Sequence, residues 1–115
     1  MMKIIKYLLP GLCLLVLVLI INGCSKGVSK TPEPTTHTVV IEGMQFKPTE
    51  LSVSKGDTIK WVNKDIVTHN VTEYPDEKWT SGPININDSW KKVIDEEFDY
   101  YCSIHPTMKG KIILK

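Results

Sequence analysis

The sequence of residues 37–115 predicts an all-β fold, a sandwich of two sheets that forms a single domain. Apolar residues recur there with a period of two in short runs, as strands with one buried face require. No segment of this range carries the apolar stripe of an amphipathic helix. Turn-forming residues separate the runs, for example at Gly56-Asp57 and Lys109-Gly110. Short strands at this spacing are typical of two sheets packed around one core.

Seven strands are predicted along this domain, with residues 63–81 the least regular stretch. Alternate residues of a strand share a face, and Leu51 with Val53 fit an inward face. Trp79 and Trp90 fit either the core or an exposed contact, and His37 is interpreted as a solvated surface histidine. The predicted strands are 38–42, 51–53, 58–63, 69–71, 90–94, 98–102 and 111–114.

The length and charge of the chain exclude several classes of function. A chain of 115 residues has room for one compact domain but not for a second, catalytic one. Its 14 basic residues are all lysines and nearly cancel 13 acidic residues, which leaves a net charge of +1. Because there are no arginine forks and no strong positive field, we expect no nucleic-acid binding.

A targeting signal is predicted in residues 1–23. A short basic patch precedes an unbroken apolar stretch of ten residues, 12–21, which is short for a spanning helix of about 20 apolar residues. The following Ile21-Asn22-Gly23-Cys24 resembles a bacterial lipobox, which implies cleavage before Cys24 and lipidation of its thiol. The alternative is an uncleaved anchor with a chance cysteine. Both interpretations place the domain outside the cytoplasm, in the cell envelope, on the periplasmic side or at the cell surface.

Residues 24–36 are interpreted as the lipidated cysteine followed by a flexible tether. The segment is polar, contains Pro32 and Pro34, and shows no apolar periodicity. If its twelve residues after Cys24 extend by about 3.1 Å each, they span at most roughly 37 Å. Such a tether would let a membrane-anchored domain meet a membrane-bound partner.

The strand predicted to end at Cys102 directs this thiol inward. Phe98, Tyr100 and Cys102 share one face of that strand, so a core position for the aromatic rings implies one for the thiol. A single buried cysteine is commonly just a small hydrophobic residue. Its role therefore depends on the residues around it.

Four residues form a candidate set of metal ligands. His105 follows Cys102 by three residues, Met108 follows His105 by three, and His69 lies far upstream. Two imidazoles, a thiolate and a thioether match the trigonal copper site with a long axial methionine that serves electron transfer. A structural zinc site would need four strong ligands, and methionine is not one. The pattern predicts one copper ion that alternates between Cu(I) and Cu(II), although Met108 alone would also fit as core packing.

Several segments resemble the cupredoxin family of type 1, or blue, copper proteins, and within it the plastocyanin and amicyanin group. The likeness extends over the whole domain, residues 37–115. A proline commonly found between the ligand cysteine and histidine is replaced by Ile104, and Glu96-Glu97 stand where a glycine is common. The matching segments are 44–48, 53–63, 69–71 and 101–110.

This resemblance implies a Greek-key sandwich and a role for each member of the candidate set. His69, Cys102 and His105 would be the equatorial ligands and Met108 the axial one. Asn70 would tie the two ligand loops together. Tyr101 corresponds to a tyrosine that plastocyanins use as a second electron route, but an ordinary outward-facing strand tyrosine explains it equally well.

Three functions could use this set of side chains. An electron shuttle between redox proteins, such as cytochromes or membrane oxidoreductases, would act as a monomer and would not be an enzyme. A copper carrier or store would use the same ligands, but stores multiply methionines and histidines, and this domain offers only Met44 and Met108. A thiol enzyme built on Cys102 would need an orienting group and a substrate cleft, and the sequence suggests neither. The shuttle is the function favoured by the sequence.

Overall fold

The computed structural model describes Gly23 and residues 27–115 of the chain. Within this part, residues Pro32–Lys115 form one compact unit, and the described secondary structure consists of strands without a helix. No helix in the described part of the chain has the length and apolarity needed to cross a membrane. The rest of the predicted signal peptide and the predicted lipidation site, Cys24, lie outside the described residues.

Eight strands build two mixed sheets of four. Their bounds are Thr36–Glu42 (β1), Gln45–Lys47 (β2), Glu50–Val53 (β3), Thr58–Asn63 (β4), Thr72–Tyr74 (β5), Ser89–Val93 (β6), Phe98–Tyr101 (β7) and Lys109–Leu114 (β8). The first sheet has the order β2-β1-β4-β6 and the second the order β3-β8-β7-β5. The pairs β1/β4 and β3/β8 are parallel, and the other pairs are antiparallel. The predicted all-β Greek-key sandwich is confirmed.

The core lies between the inward faces of the two sheets. This core forms because alternate side chains of each strand point inward. The alternation is clearest in β4, whose residues alternate strictly between half-buried and fully buried positions. Trp79 and Trp90 stack with ring centroids 5.8 Å apart and pack against the core, which resolves their role in favour of packing. The buried core residues are Val39, Ile41, Phe46, Val53, Ile59, Trp61, Val71, Ile84, Ile94, Phe98, Tyr100, Cys102, Met108 and Ile112.

The predicted strand at residues 69–71 is wrong. β5 begins only at Thr72, and His69 instead forms an isolated antiparallel bridge with Ile84. The reason lies in Asn70, whose side chain bonds to Ser103 of a facing loop. This segment is therefore held by contacts across the end of the sandwich and not by a continuous ladder.

The strand β2 was not predicted. Its three residues follow a tight turn in which Gly43 and Met44 both have a φ of 59°. Three residues are too few for a period-two pattern to stand out, and the left-handed turn that places them depends on backbone geometry.

Two loops meet at one end of the sandwich, and the N-terminal entry lies at the other. Residues 64–71 follow β4, and residues 102–108 join β7 to β8. Because β1 runs parallel to β4, with Thr36 beside Thr58 and Ile41 beside Asn63, the chain enters the domain away from the loop that follows β4.

The interpretation of His37 as a solvated surface residue is wrong. Its Nε2 donates to Oδ2 of Asp57 at 2.8 Å, and only 25% of its side chain is exposed. The same carboxylate accepts the backbone N–H groups of Thr35 and Ser54, each at 3.0 Å. These bonds fix the start of β1 to the turn before β4.

Candidate metal centre

The ligand loop, residues 102–108 between β7 and β8, carries three of the candidate ligands and is held in a compact form by its own backbone. The His105 N–H donates to the carbonyl of Cys102 at 3.1 Å, and the Met108 N–H donates to the carbonyl of His105 at 2.9 Å. The Cys102 N–H closes the loop by donating to the carbonyl of Met108 at 3.1 Å. The spacing of three residues between successive ligands therefore corresponds to two consecutive turns.

Hydrogen bonds hold both the backbone and the ring of His69. Its N–H donates to the carbonyl of Ile84 at 3.2 Å, and its carbonyl accepts the Ile84 N–H at 2.7 Å. The fully buried ring directs Nε2 to Oδ2 of Asp65 at 2.9 Å. When Nε2 carries the proton of this bond, Nδ1 keeps its lone pair for a metal.

The three candidate nitrogen and sulfur ligands converge on one point. Nδ1 of His69 and Nδ1 of His105 each lie 3.8 Å from Sγ of Cys102, and the three ligand atoms all lie within 4.8 Å of one another. Metal bonds of about 2.0–2.3 Å in a trigonal plane separate the ligand atoms by roughly 3.5–4.0 Å. The spacing in this chain therefore fits a single ion, and the soft sulfur with two imidazoles fits copper.

Burial differs sharply among the four candidate ligands. Cys102 and His69 are fully buried, and Met108 is almost so, whereas His105 is half-buried and reaches the surface. Met108 belongs to the core cluster, next to the ligand loop that its backbone closes. The imidazole of His105 is thus the part of the candidate site nearest to the surface.

Asn70 joins the two ligand loops, as expected. Its backbone N–H points to Sγ of Cys102 at 3.4 Å. Its side-chain Nδ2 donates to Oγ of Ser103 at 2.8 Å, and its Oδ1 accepts the Ser103 N–H at 2.8 Å and the Thr72 hydroxyl at 3.1 Å. The contributions of Ser103 and Thr72 were not predicted from the sequence.

Asp65 is a further residue of the candidate site that was not predicted from the sequence. The backbone N–H of Met44, first, and then the ring of His69 and the N–H of Ile66 hold the pKa of Asp65 below its usual range. The carboxylate therefore stays charged beside the His69 ring. A signal was present in the sequence, because an acidic residue four positions before a candidate ligand can reach its ring.

Exposed apolar side chains lie in the loops at this end of the sandwich. They belong to the turn before β2, to the loop after β4, to the segment that pairs with His69 and to the ligand loop. Isolated exposed apolar residues are common, but these flank the elements that carry or contact the candidate ligands. They are Met44, Ile66, Val67, Ile86 and Ile104.

Tyr101 lies beside the site without belonging to the ligand set. Its hydroxyl donates to Glu77, and its ring meets Tyr74 edge to face with centroids 5.5 Å apart. The hydrogen bond to Glu77 is the main cause that raises the pKa of Tyr101. A second electron route through Tyr101 stays a prediction.

Comparison with known proteins identifies the family. The family model for copper binding proteins of the plastocyanin/azurin family matches residues 34–115. Amicyanin-alpha of Methylorubrum extorquens is 32% identical over 99 residues, which cover 81% of this chain and 82% of that protein. Amicyanin of Paracoccus versutus is 31% identical over 97 residues, which cover 78% of this chain and 74% of that protein.

Among solved structures, the purple cupredoxin of Nitrosopumilus maritimus superposes with a TM-score of 0.63 at 27% identity. The match covers 68% of this chain and 98% of that one. The similarity thus extends over sequence, fold and the whole of the β domain. The chain belongs to the plastocyanin/azurin family of copper-binding proteins, the cupredoxins.

Proposed function

We propose that this protein is a mononuclear type 1 copper protein that shuttles single electrons between redox partners at the cell envelope. In this proposal His69, Cys102 and His105 are the equatorial ligands and Met108 is the axial one. The observation that carries it is the convergence of two Nδ1 atoms on the buried Sγ of Cys102, each at 3.8 Å. Membership of the cupredoxin family supports copper as the ion.

The chemistry of the donor set suits electron transfer. Copper, when bound, supplies a one-electron couple between Cu(I) and Cu(II). A set of sulfur and imidazole donors is intermediate between the ligand sets that Cu(I) and Cu(II) prefer. Electron transfer is fast when the ligands move little between the two oxidation states. The contacts of Asp65 with His69 and of Asn70 with Cys102 restrain that movement.

The half-buried His105 is the proposed electron port. Ile104 beside it in the ligand loop is exposed, as is Ile66 in the loop that leads to His69. An apolar surface of this kind is suited to transient contact with another protein. We propose redox proteins, such as cytochromes or membrane oxidoreductases, as the partners, and the proposal assigns no catalytic residue to this chain.

Burial of the ligands supports the shuttle over the copper carrier or store. Cys102 and His69 are fully buried, and Met108 is 2% exposed. Handing over the ion would require these side chains to open, whereas handing over an electron requires only an approach to His105. The shuttle therefore retains its copper through each cycle.

The proposed location is a lipid anchor at Cys24 on the outer side of a membrane. The chain enters the domain at Thr35, which Asp57 binds at the end of the sandwich away from the loop that follows β4. β4 has six residues and at about 3.3 Å per residue is roughly 20 Å long. A tether at this position would leave the copper end free for partners.

The visible spectrum of the copper-loaded protein tests the proposal. We expect one copper per chain and intense absorption from the thiolate-to-copper transition, which Cys102→Ser should abolish while the strands stay folded. Thr107→Ala is the control, because Thr107 is exposed in the same loop, and this variant should keep the absorption. A colourless wild-type protein that holds one Cu(II) would refute the type 1 site, and colour that persists in Cys102→Ser would refute the ligand assignment.

A further inference from the structure

Asn63 is a fully buried polar residue at the end of β4, just before the loop that carries His69. Its Nδ2 donates to the carbonyl of Val67 at 2.8 Å and to the carbonyl of Ile84 at 2.9 Å. Its Oδ1 accepts the N–H of Asp65 at 2.9 Å. One side chain therefore binds three points of the backbone.

The network fixes the orientation of this amide. Both hydrogens of the Nδ2 group are used, since it faces two carbonyls, and Oδ1 faces an N–H. Turning the amide around would place its oxygen against two carbonyl oxygens in a buried site, which is strongly unfavourable. Asn63 is thus fully satisfied in one orientation.

The backbone of Asn63 contacts the same second segment. Its N–H donates to the carbonyl of Asp88 at 2.9 Å, and its carbonyl accepts the N–H of Asn87 at 2.8 Å. Residues 84–88 are therefore bound to the end of β4 by both the backbone and the side chain of Asn63. The same segment pairs with His69 through Ile84.

Both supports of His69 thus pass through Asn63. The ring of His69 is held by Asp65, whose N–H is held by Asn63. The backbone of His69 is held by Ile84, whose carbonyl is also bound by Asn63. Asn63 itself is not among the candidate ligands.

We infer that Asn63 is the positioning residue that fixes His69 before copper is bound and keeps it fixed while the electron moves. This inference rests on the proposed function, in which His69 is a ligand. A side chain that locks both the ring and the backbone of a ligand limits its displacement between Cu(I) and Cu(II). A residue with a merely structural role would stabilise the fold without affecting the ligand.

The test compares Asn63→Ala with Ile59→Ala in the full chain. Ile59 is the matched control, because it is fully buried, lies on the same inward face of β4 and has no contact in the network described above. Both variants should lower the free energy of unfolding. Should Asn63→Ala fail to fold, Asn63→Ser retains one donor for a carbonyl and takes its place in each comparison.

Hydrogen exchange of the copper-free protein gives the first readout. The ratio of the exchange rates of the His69 and Ile84 amides to that of the core amide of Trp61 should rise about tenfold in Asn63→Ala. Ile59→Ala should leave this ratio unchanged, since it loosens the whole core. An unchanged ratio in Asn63→Ala, or an equal rise in Ile59→Ala, would overturn the inference.

The copper-loaded protein gives the second readout. Asn63→Ala should slow electron self-exchange several-fold and alter the electron paramagnetic resonance spectrum of Cu(II), and Ile59→Ala should change neither. The inference is also overturned if Asn63→Ala raises the hydrogen-exchange ratio but has the same electron self-exchange rate and Cu(II) spectrum as Ile59→Ala. If the wild-type chain forms no blue copper site, the proposed function is refuted. The hydrogen-exchange data are independent of that result, because they come from the copper-free protein.

Discussion

The phenol ring of Tyr100 lies directly against the backbone of Gly110, across the antiparallel pair formed by β7 and β8. The two residues face each other in the register, and a Cβ at position 110 would collide with the ring and hydroxyl of Tyr100. Tyr100 has no room to withdraw, because Phe46 and Trp61 meet its ring edge to face with centroids 4.8 and 5.5 Å away. Gly110 is therefore required by packing and not by backbone conformation.

Substitution of Gly110 by alanine should destabilise the domain. Forcing a methyl group into this contact displaces a buried ring and should cost about 1–3 kcal/mol in the free energy of unfolding. Urea unfolding monitored by tryptophan fluorescence measures the cost. Gly27→Ala is the control, since a Cβ there meets no atom of the described residues within 4 Å. Equal midpoints for Gly110→Ala and the wild type would contradict the packing described here.

The candidate ligand set could be predicted from the sequence because three of its four members are close together in the chain. Cys102, His105 and Met108 lie within seven residues, so their spacing alone indicates one site, and His69 supplies the missing imidazole. The strands that were predicted well, such as β4, have an unbroken period of two. In both cases the information lies in neighbouring residues.

The residues that hold the candidate ligands in place were harder to predict, because they contact segments that are distant in the sequence and that only the fold brings together. Nothing near Asn63 in sequence indicates that its amide will meet the carbonyl of Ile84, which is 21 residues away. The same holds for His37 and Asp57, 20 residues apart. From the sequence alone, a polar side chain is interpreted as solvated, because its distant partner is not known.

Met108→Gln should lower the reduction potential and leave one copper bound. If Met108 is a weak axial ligand, an amide oxygen in its place is the harder donor and favours Cu(II) over Cu(I). Voltammetry measures the potential, and metal analysis measures the copper content. The control is Met44→Gln, because Met44 is exposed in the turn before β2. An unchanged potential and spectrum in Met108→Gln would show that Met108 serves packing alone.

Cys24→Ala should prevent lipidation of the protein and block signal cleavage before residue 24. The lipobox resemblance predicts that the thiol of Cys24 is the site of fatty-acid attachment. Incorporation of labelled fatty acid and the mass of the mature chain measure both effects. Cys13→Ala is the matched control, since Cys13 belongs to the apolar stretch that would be removed with the predicted signal. Label on the Cys24→Ala protein would refute the lipobox interpretation.

Asp57→Asn should make the domain less sensitive to acid. The backbone N–H of Thr35, first, and then the His37 ring and the Ser54 N–H lower the pKa of Asp57 from 3.8 to about 2. Because the folded state favours the charged carboxylate, its stabilising contribution is fully present above pH 3.8 and is lost as the pH falls towards 2. Neutral asparagine has no such titration.

Urea unfolding of the copper-free protein between about pH 5 and pH 2 measures this difference. The free energy of unfolding of the wild type should fall more steeply with acid than that of Asp57→Asn, whose stability should already be reduced at neutral pH. Asp95→Asn serves as the control, because Asp95 is exposed and its substitution should leave the wild-type slope intact. Parallel acid profiles for the wild type and Asp57→Asn would show that the bonds from Thr35, His37 and Ser54 do not hold the charged carboxylate in solution.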